Sequence, residues 1–481
     1  MAGWLRRLRR RVGAFVGGFE AAGTQRRLSR FLPAREHVNG LIASTGPTVL
    51  ARARWLVRNN GYAANAVESW AANVVGDGIH PVFPSFDPDR KAAVARLFDR
   101  WTDEADAEGV TDCQGLQRRI ARELFVAGEC FVRFRPRRPQ DGVLVPLQLQ
   151  VLPSEMVPVE RNEARRNGNV IRCGIEFDRI GRRVAYWFYR RHPNDATDRQ
   201  ERAGEQVRVP ASEVLHIMDP VEAGQIRGVS RFAPAIVRLF TLDQYDDAEL
   251  ERKKTAAMYA LFVTTPSPET ALADAAEDPE GERTIELRPG AIEFLEPGED
   301  IKVSAPADVG QNYEAFQYRT LLQISAALGI PYAYLSNDML KANYSNSRMA
   351  LLEFRRRIEA FQWSVMVYQF CRPVIERWMD TAVLAGSLDL PDYAERRRDW
   401  LDIDWLPPRW DWVDPLKDAR AEIEMIRAGL KSRTQAIAER GWDAEQVDAE
   451  IAADRERERR LGIGFDTSPI GGNADVGNAQ E

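Results

Sequence analysis

The sequence is poor in the residues that build metal centres, disulfide frameworks and most active sites. Its 481 residues include four cysteines and four histidines. The cysteines (Cys113, Cys130, Cys173, Cys371) are scattered without a C-x-x-C pair, which argues against a zinc ribbon and for free, buried thiols in a reducing compartment. The histidines (His37, His80, His192, His216) are equally dispersed, so neither a metal nor another cofactor is expected. No Gly-Lys pair occurs, which removes the phosphate-cradling P-loop, and G-x-S-x-G, H-E-x-x-H and G-x-G-x-x-G are absent too. No apolar run approaches the roughly 18 residues a membrane-spanning helix needs. The N-terminal MAGWLRRLRRRVGAFVGGF lacks the long apolar core and small-residue cleavage site of a secretory leader, so secretion is not expected.

What is present is a globular composition, 44% hydrophobic and 29% charged, in a chain long enough for two or three domains. The net charge of −6 conceals an asymmetry. Residues 1–35 hold nine arginines against the single acid Glu20, whereas residues 266–302 hold eleven acids against Arg283, Arg288 and Lys302.

Hydrophobic periodicity divides the chain. Residues 48–75 read as helix interrupted at Asn59-Asn60-Gly61, and 88–108 and 112–128 as two more helices. Alternation then predicts strands from Glu129, from Leu147, around Gly174–Asp178 and Val184–Tyr189 (a hairpin turning at Ile180-Gly181-Arg182), and at Val214–Met218. Residues 36–220 are thus an α+β domain with a small antiparallel sheet, in a chain that is mostly helical. A long, highly charged helix follows from about Ala233 to Met258, with Ser230 as its N-cap and Pro234 in its first turn. An acidic insert with short strands around Ile285 and Ile292 leads to a second helix at 313–328, so the two helices are expected to be antiparallel neighbours. After Gly329-Ile330-Pro331, a polar loop from Asn337 to Ser347 precedes a helix with an apolar seam at Leu351, Phe354, Ile358, Phe361, Val365 and Tyr368. A Trp/Pro-rich segment from Trp400 and three short helices (Lys417–Ala428, Arg433–Arg440, Ala444–Arg460) close the ordered part, and a tail from Gly462 reads as disordered.

Catalytic readings find little support. Gly76-Asp77-Gly78-Ile79-His80-Pro81 fits a helix-to-strand turn better than an active-site loop. Asp402 and Asp404 fit the alternation of a strand edge better than an acid–base pair, and Ser345 and Ser347 fit helix caps better than nucleophiles. An enzyme is not expected.

Several runs in order, Trp55–Val75, Gly228–Phe232, Leu328–Tyr332, Tyr344–Arg348, Trp412–Lys417 and Ala438–Asp443, resemble the lambda-family bacteriophage portal proteins over about residues 40–462. The resemblance implies a virion protein at the capsid portal vertex, assembled in the host cytoplasm as a homo-oligomeric ring of about twelve subunits. Double-stranded DNA would pass through it without sequence readout, and the terminase large subunit, the major capsid and scaffold proteins and head-completion proteins would be its partners, with no membrane involved. It also implies the portal fold of wing, stem, clip and crown. A basic arm (1–35) precedes a wing (36–232), a first stem helix (233–259), an acidic clip (260–311) and a second stem helix (312–330). A tunnel loop (331–347), a long wing or channel helix (348–399), a crown (400–461) and a tail (462–481) follow. The residues expected to line the DNA channel are Asn337, Lys341, Asn343, Tyr344 and Ser345. Arg252, Lys253 and Lys254 are expected either to face DNA or to close the helix dipole and pair with acids of a neighbouring subunit. Glu277, Asp278, Glu280 and Glu282 are the clip acids expected to dock the motor. A packaging nuclease or ATPase, and a basic-arm scaffold protein, remain as alternatives.

Overall fold

Asn60 sets the first feature of the fold. Its extended backbone ends helix α1 (Val38–Asn59), and its side chain accepts a hydrogen bond from Ala63 N at 3.0 Å, capping α2 (Gly61–Val75). The interruption expected at 59–61 is therefore a cap joining two helices, and the first begins at Val38 rather than near residue 48. The computed structural model describes residues 29–84, 87–197, 204–258, 262–264, 276–277, 283–284, 300–302, 312–340, 344–408, 410 and 415–463.

Helix α2 runs through the main core. Its buried Ala63, Ala66 and Ala71 let neighbours approach closely, and its buried Trp70 rests against Phe125 and Phe361. At its end Gly76 (φ +52°) and Gly78 (φ +128°) turn the chain into β1 (His80–Val82), the helix-to-strand turn read from the sequence. Strand β1 pairs with β14 (Asp404–Leu406), which places Asp404 opposite Val82. Helix α3 (Pro88–Thr102) is capped by Asp87 and stops before residue 108. The reason is tertiary: Leu149 hydrogen-bonds Ala105 O and Ala107 N and draws that backbone into a bridge beside a strand.

After α4 (Cys113–Val126) come two sheets where one was expected. In the first, β2 (Glu129–Pro136) lies between β3 (Leu147–Leu152) and β9 (Val214–Met218). The second is an antiparallel meander of β4 (Glu163–Ala164), β5 (Val170–Arg172), β6 (Ile175–Phe177), β7 (Arg183–Tyr189) and β8 (Gln206–Pro210). Phe131 of β2 meets Tyr186 and Phe188 of β7 in a smaller core that ties the sheets together. All four cysteines are free and buried.

Helix α5 (Ile236–Met258) starts three residues after the expected Ala233. Ser230 Oγ accepts from Phe232 N at 3.1 Å and caps the preceding turn, which also holds Pro234. The insert contributes β10 (Phe262–Thr264), β11 (Ala276–Glu277), β12 (Arg283–Thr284) and β13 (Asp300–Lys302), whereas the strands expected around Ile285 and Ile292 lie outside the described residues. Next come α6 (Asn312–Leu328) and the short α7 (Tyr332–Ser336).

Helix α8 (Tyr344–Phe361) continues without a break into a π-helical stretch, Gln362–Cys371, and then α9 (Arg372–Leu384). This corrects two expectations. The seam holds at the buried Phe354, Ile358, Phe361 and Val365 but fails at exposed Tyr368, because the wider i→i+5 turn shifts the register. The helix also ends at Leu384, not near 399; Gly386 (φ +73°) breaks it, and α10 (Tyr393–Trp400) is separate. Helices α11 (Pro415–Arg427), α12 (Arg433–Ala438) and α13 (Ala444–Leu461) fall where the sequence placed them, and the tail expected from Gly462 lies outside the described residues from Gly464 onward.

Candidate functional site

The segment expected to line a channel is held firmly at one end. Pro331 opens α7, Leu335 inserts into the main core, and Asn65 of α2 donates its amide to Tyr334 O (2.6 Å) and Leu335 O (3.0 Å). Ser69, one turn further along α2, donates to Tyr334 O at 3.2 Å. These bonds satisfy carbonyls that the end of a one-turn helix leaves orphaned. Asn337 then takes a left-handed conformation (φ +55°), and Asp338 accepts from Tyr332 Oη (3.0 Å) and Leu340 N (2.9 Å). The result is a tethered turn presenting Met339 and Leu340, the latter 97% exposed. Lys341 and Asn343 lie outside the described residues. Tyr344 and Ser345 belong to the first turn of α8, so they are helical rather than loop residues, and Ser345 and Ser347 are not caps ahead of it.

Helices α5 and α6 are antiparallel neighbours, as expected. Lys253 lies over the Tyr313 ring at 5.4 Å, while further back on α5 Asp246 accepts from Tyr313 Oη (2.9 Å) and from Gln317 Nε2 (3.2 Å). Strands β10 and β13 continue the antiparallel pairing. Burial and the Asp246 contact push the Tyr313 hydroxyl up to about 12. The three cations near the end of α5 are engaged locally. Arg252 forms a two-pronged pair with buried Glu249 (2.6 and 2.8 Å), Lys253 lies 3.8 Å from the same carboxylate, and Lys254 meets Glu251 at 2.7 Å. Glu277 sits in β11 opposite Arg283, and Asp278, Glu280 and Glu282 lie outside the described residues.

A buried ionic junction joins the sheets to the approach of α5. Glu129 accepts Arg227 Nε (2.8 Å) and Ser154 Oγ (2.6 Å) on one oxygen, and Gly228 N (2.6 Å) and His216 Nε2 (2.9 Å) on the other. Arg227 also donates to Val157 O (3.0 Å), Cys173 O (2.8 Å) and Ser154 O (3.2 Å). Burial alone would raise the Glu129 carboxyl, but the Arg227 charge and the His216 contact overcome it and hold it well below the usual range. Burial also pushes the His216 ring down to about 4, against the pull of Glu129. The ring is neutral, since its Nδ1, 3.3 Å from Arg183 Nη1, accepts rather than donates. The group has the chemistry of a structural lock: the polar side-chain atoms of Glu129, Arg227, His216 and Ser154 are all engaged, and the Glu129 and Arg227 side chains are almost wholly buried.

The family profile described as "Phage portal protein, lambda family" matches residues 24–362. The chain belongs to this family. It is 28% identical to the "Probable portal protein" of Halomonas phage phiHAP-1, over 86% of this chain and 81% of that protein. With "Portal protein B" of Escherichia phage lambda the identity is 24%, over 94% and 91%. Among solved structures, the "Neck of empty GTA particle computed with C6 symmetry" aligns with a TM-score of 0.46 and 16% identity, covering 92% of this chain and 99% of that one.

The family match takes in α5, the insert, α6, the tethered turn and α8, and it stops at Gln362, where the π-helical stretch begins. Sequence reasoning missed three parts of this portal-family chain. Asn65 and Ser69 carry a signal, two polar residues four apart on a helix whose fully buried positions are all apolar. Met339 and Leu340 stand in a stretch whose other residues are mostly polar, which masks them in the sequence. Glu129 and Arg227, 98 positions apart, gave no local sign of their pairing.

Proposed function

We propose that this portal-family chain forms a homo-oligomeric ring at one capsid vertex, and that double-stranded DNA enters and leaves through its centre. In this reading α5 and α6 are the stem, the insert between them is the clip, the turn from Asn337 onward approaches the DNA, residues 36–232 form the wing and 400–461 the crown. The observation that carries it is the tethered turn: a loop fixed to the core through Asn65 and Ser69 and presented between two long helical elements. The family match spans all of these parts except the crown.

The electrostatics support a conduit. Each fixed phosphate contact adds salt-sensitive affinity and would brake a sliding duplex. Arg252, Lys253 and Lys254 are spent on Glu249 and Glu251, which favours dipole closure and ion pairing over DNA contact. Lys341 is the one cation in the sequence from Asn337 to Ser347, so a ring would carry a single circle of soft contacts. The acidic insert is assigned to docking the terminase motor and then head-completion proteins. ATP hydrolysis is assigned to that motor, and this chain acts as a non-enzymatic component.

Lys341→Glu tests the channel assignment. Rings should form normally, measured by sedimentation, while the DNA packaged or retained per particle falls several-fold. Normal packaging by this variant would remove Lys341 from the DNA path.

A further inference from the structure

An apolar groove lies between the first half of α1, the Ser154–Glu160 segment that joins the two sheets, and the Gly228–Ala233 approach to α5. It measures about 460 Å³, and its walls include Leu41, Ile42, Val157, Pro158, Val159 and Ala233. Three carboxylates line it, those of Glu129, Glu155 and Glu160, and among the described residues no Lys, Arg or His does. Arg227 and Arg54 neutralise Glu129 and Glu155. Glu160 accepts from Tyr189 Oη at 2.8 Å and has no ion-pair partner among the described residues; Arg161, next to it in sequence, is engaged by Glu163 and the Trp187 ring. The α1 wall is intrinsically weak, since Gly40, Gly46 and Pro47 all sit within the helix and proline supplies it no N–H.

We propose that the chain's own N-terminal arm, residues 1–28, docks in this groove by an apolar helical face. Three observations select it. The first is reach: Ser29 precedes Val38, itself a lining residue, by nine positions, so the arm is tethered within about 30 Å of the groove. The second is pattern. Trp4, Leu8, Val12, Phe15 and Phe19 recur at spacings of four, four, three and four, which is one face of a helix, and the arginines from Arg6 to Arg11 fall on its other sides. Gly13, Gly17 and Gly18 make that helix too weak to stand alone, so a surface is needed to order it. The third is sign. Residues 1–28 hold seven arginines against Glu20, which suits a groove whose one unpaired charge is the Glu160 carboxylate. The other long segments outside the described residues do not fit: residues 266–302 hold eleven acids against three cations, and the tail from Gly464 holds Asp466, Asp475 and Glu481 with no cation. Phe15 and Phe19, the aromatics of this face closest to the tether, are the anchors. Docked, the arm braces the weak half of α1 against the segment that carries Ser154 and Glu155. The contact is made within one chain and does not depend on the ring reading.

The test uses the full chain with Leu41→Cys combined with Phe15→Cys or with Phe19→Cys, oxidised by diamide. Leu41 is 44% exposed and the four native cysteines are buried, so thermal melts should match the unsubstituted chain. At least one pair should close a disulfide inside a single chain, read as two thiols lost at monomer mass under denaturing, non-reducing conditions. No thiol loss from either pair, or crosslinked dimers in its place, would overturn the proposal. A second readout needs no added cysteine. Leu41→Lys, and separately Phe15→Asp with Phe19→Asp, should each speed tryptic cleavage after Arg9, Arg10 or Arg11 about tenfold, followed by mass spectrometry. Equal rates in both variants and the unsubstituted chain would show that the arm does not dock.

Discussion

Glu129→Ala is expected to destabilise the folded chain by about 3–5 kcal/mol, the cost of stranding a buried charge. Arg227 is nearly inaccessible and would lose its only anionic partner among the described residues, while Gly228 N and Ser154 Oγ would lose an acceptor. Arg227→Met should cost as much from the other side, leaving the carboxylate unpaired. The pair is not therefore a net stabiliser, since desolvating two ions offsets most of their attraction; it is a junction that fails when half is removed. An exposed pair such as Arg427–Glu424 should change stability by about 1 kcal/mol or less when broken. Denaturant melts of the three variants measure the contrast, and a Glu129→Ala loss no larger than that of the exposed pair would contradict this account.

The junction also predicts acid sensitivity with a definite sign. The folded Glu129 carboxyl is depressed, so its contribution is present above the unfolded carboxylate range and is lost as pH falls. The folded His216 ring, depressed to about 4, binds its proton less readily than in the unfolded chain. Between about pH 6.5 and 4 the unfolded state therefore binds more protons, and stability again falls with pH. Both groups act in the same direction.

Gly128→Ala should be comparably severe for a different reason. Gly128 has φ +81°, and a Cβ there would stand 2.1 Å from Val229 O and 2.3 Å from its carbonyl carbon. The obstacle is backbone, which cannot rotate away, and the left-handed conformation adds its own cost, for a total of roughly 3–5 kcal/mol. Moving this strand start would shift Gly228 N, 2.6 Å from the Glu129 carboxylate, so the loss should combine less than additively with that of Glu129→Ala. Gly429 provides the control. Its φ is +71° but nothing lies within 4 Å of an added Cβ, so Gly429→Ala should cost only about 1 kcal/mol. Equal losses at the two glycines would show that conformation alone, not close approach, governs both.

The parts of the fold legible in the sequence were those with a local physical signal. Alternation located β2, β3, β7 and β9, and periodicity with caps located α2, α4, α6 and the three C-terminal helices. Strand β8, reading Gln-Val-Arg-Val-Pro, has too little apolar alternation to stand out, so the second sheet was merged with the first. The end of α3 was misplaced because Leu149, far along the chain, decides where it stops. Tyr368 illustrates the limit of assuming 3.6 residues per turn: the pattern was right through Val365 and failed where the turn widened. At the candidate site the sequence marked the turn after Pro331 but not its tether to α2, which depends on two residues more than 250 positions earlier.

Electron microscopy of the purified full chain tests the central claim most directly. The account predicts closed rings with a central opening wide enough for a DNA duplex. A chain that remains monomeric at every concentration, or that assembles into particles without an opening, would contradict it.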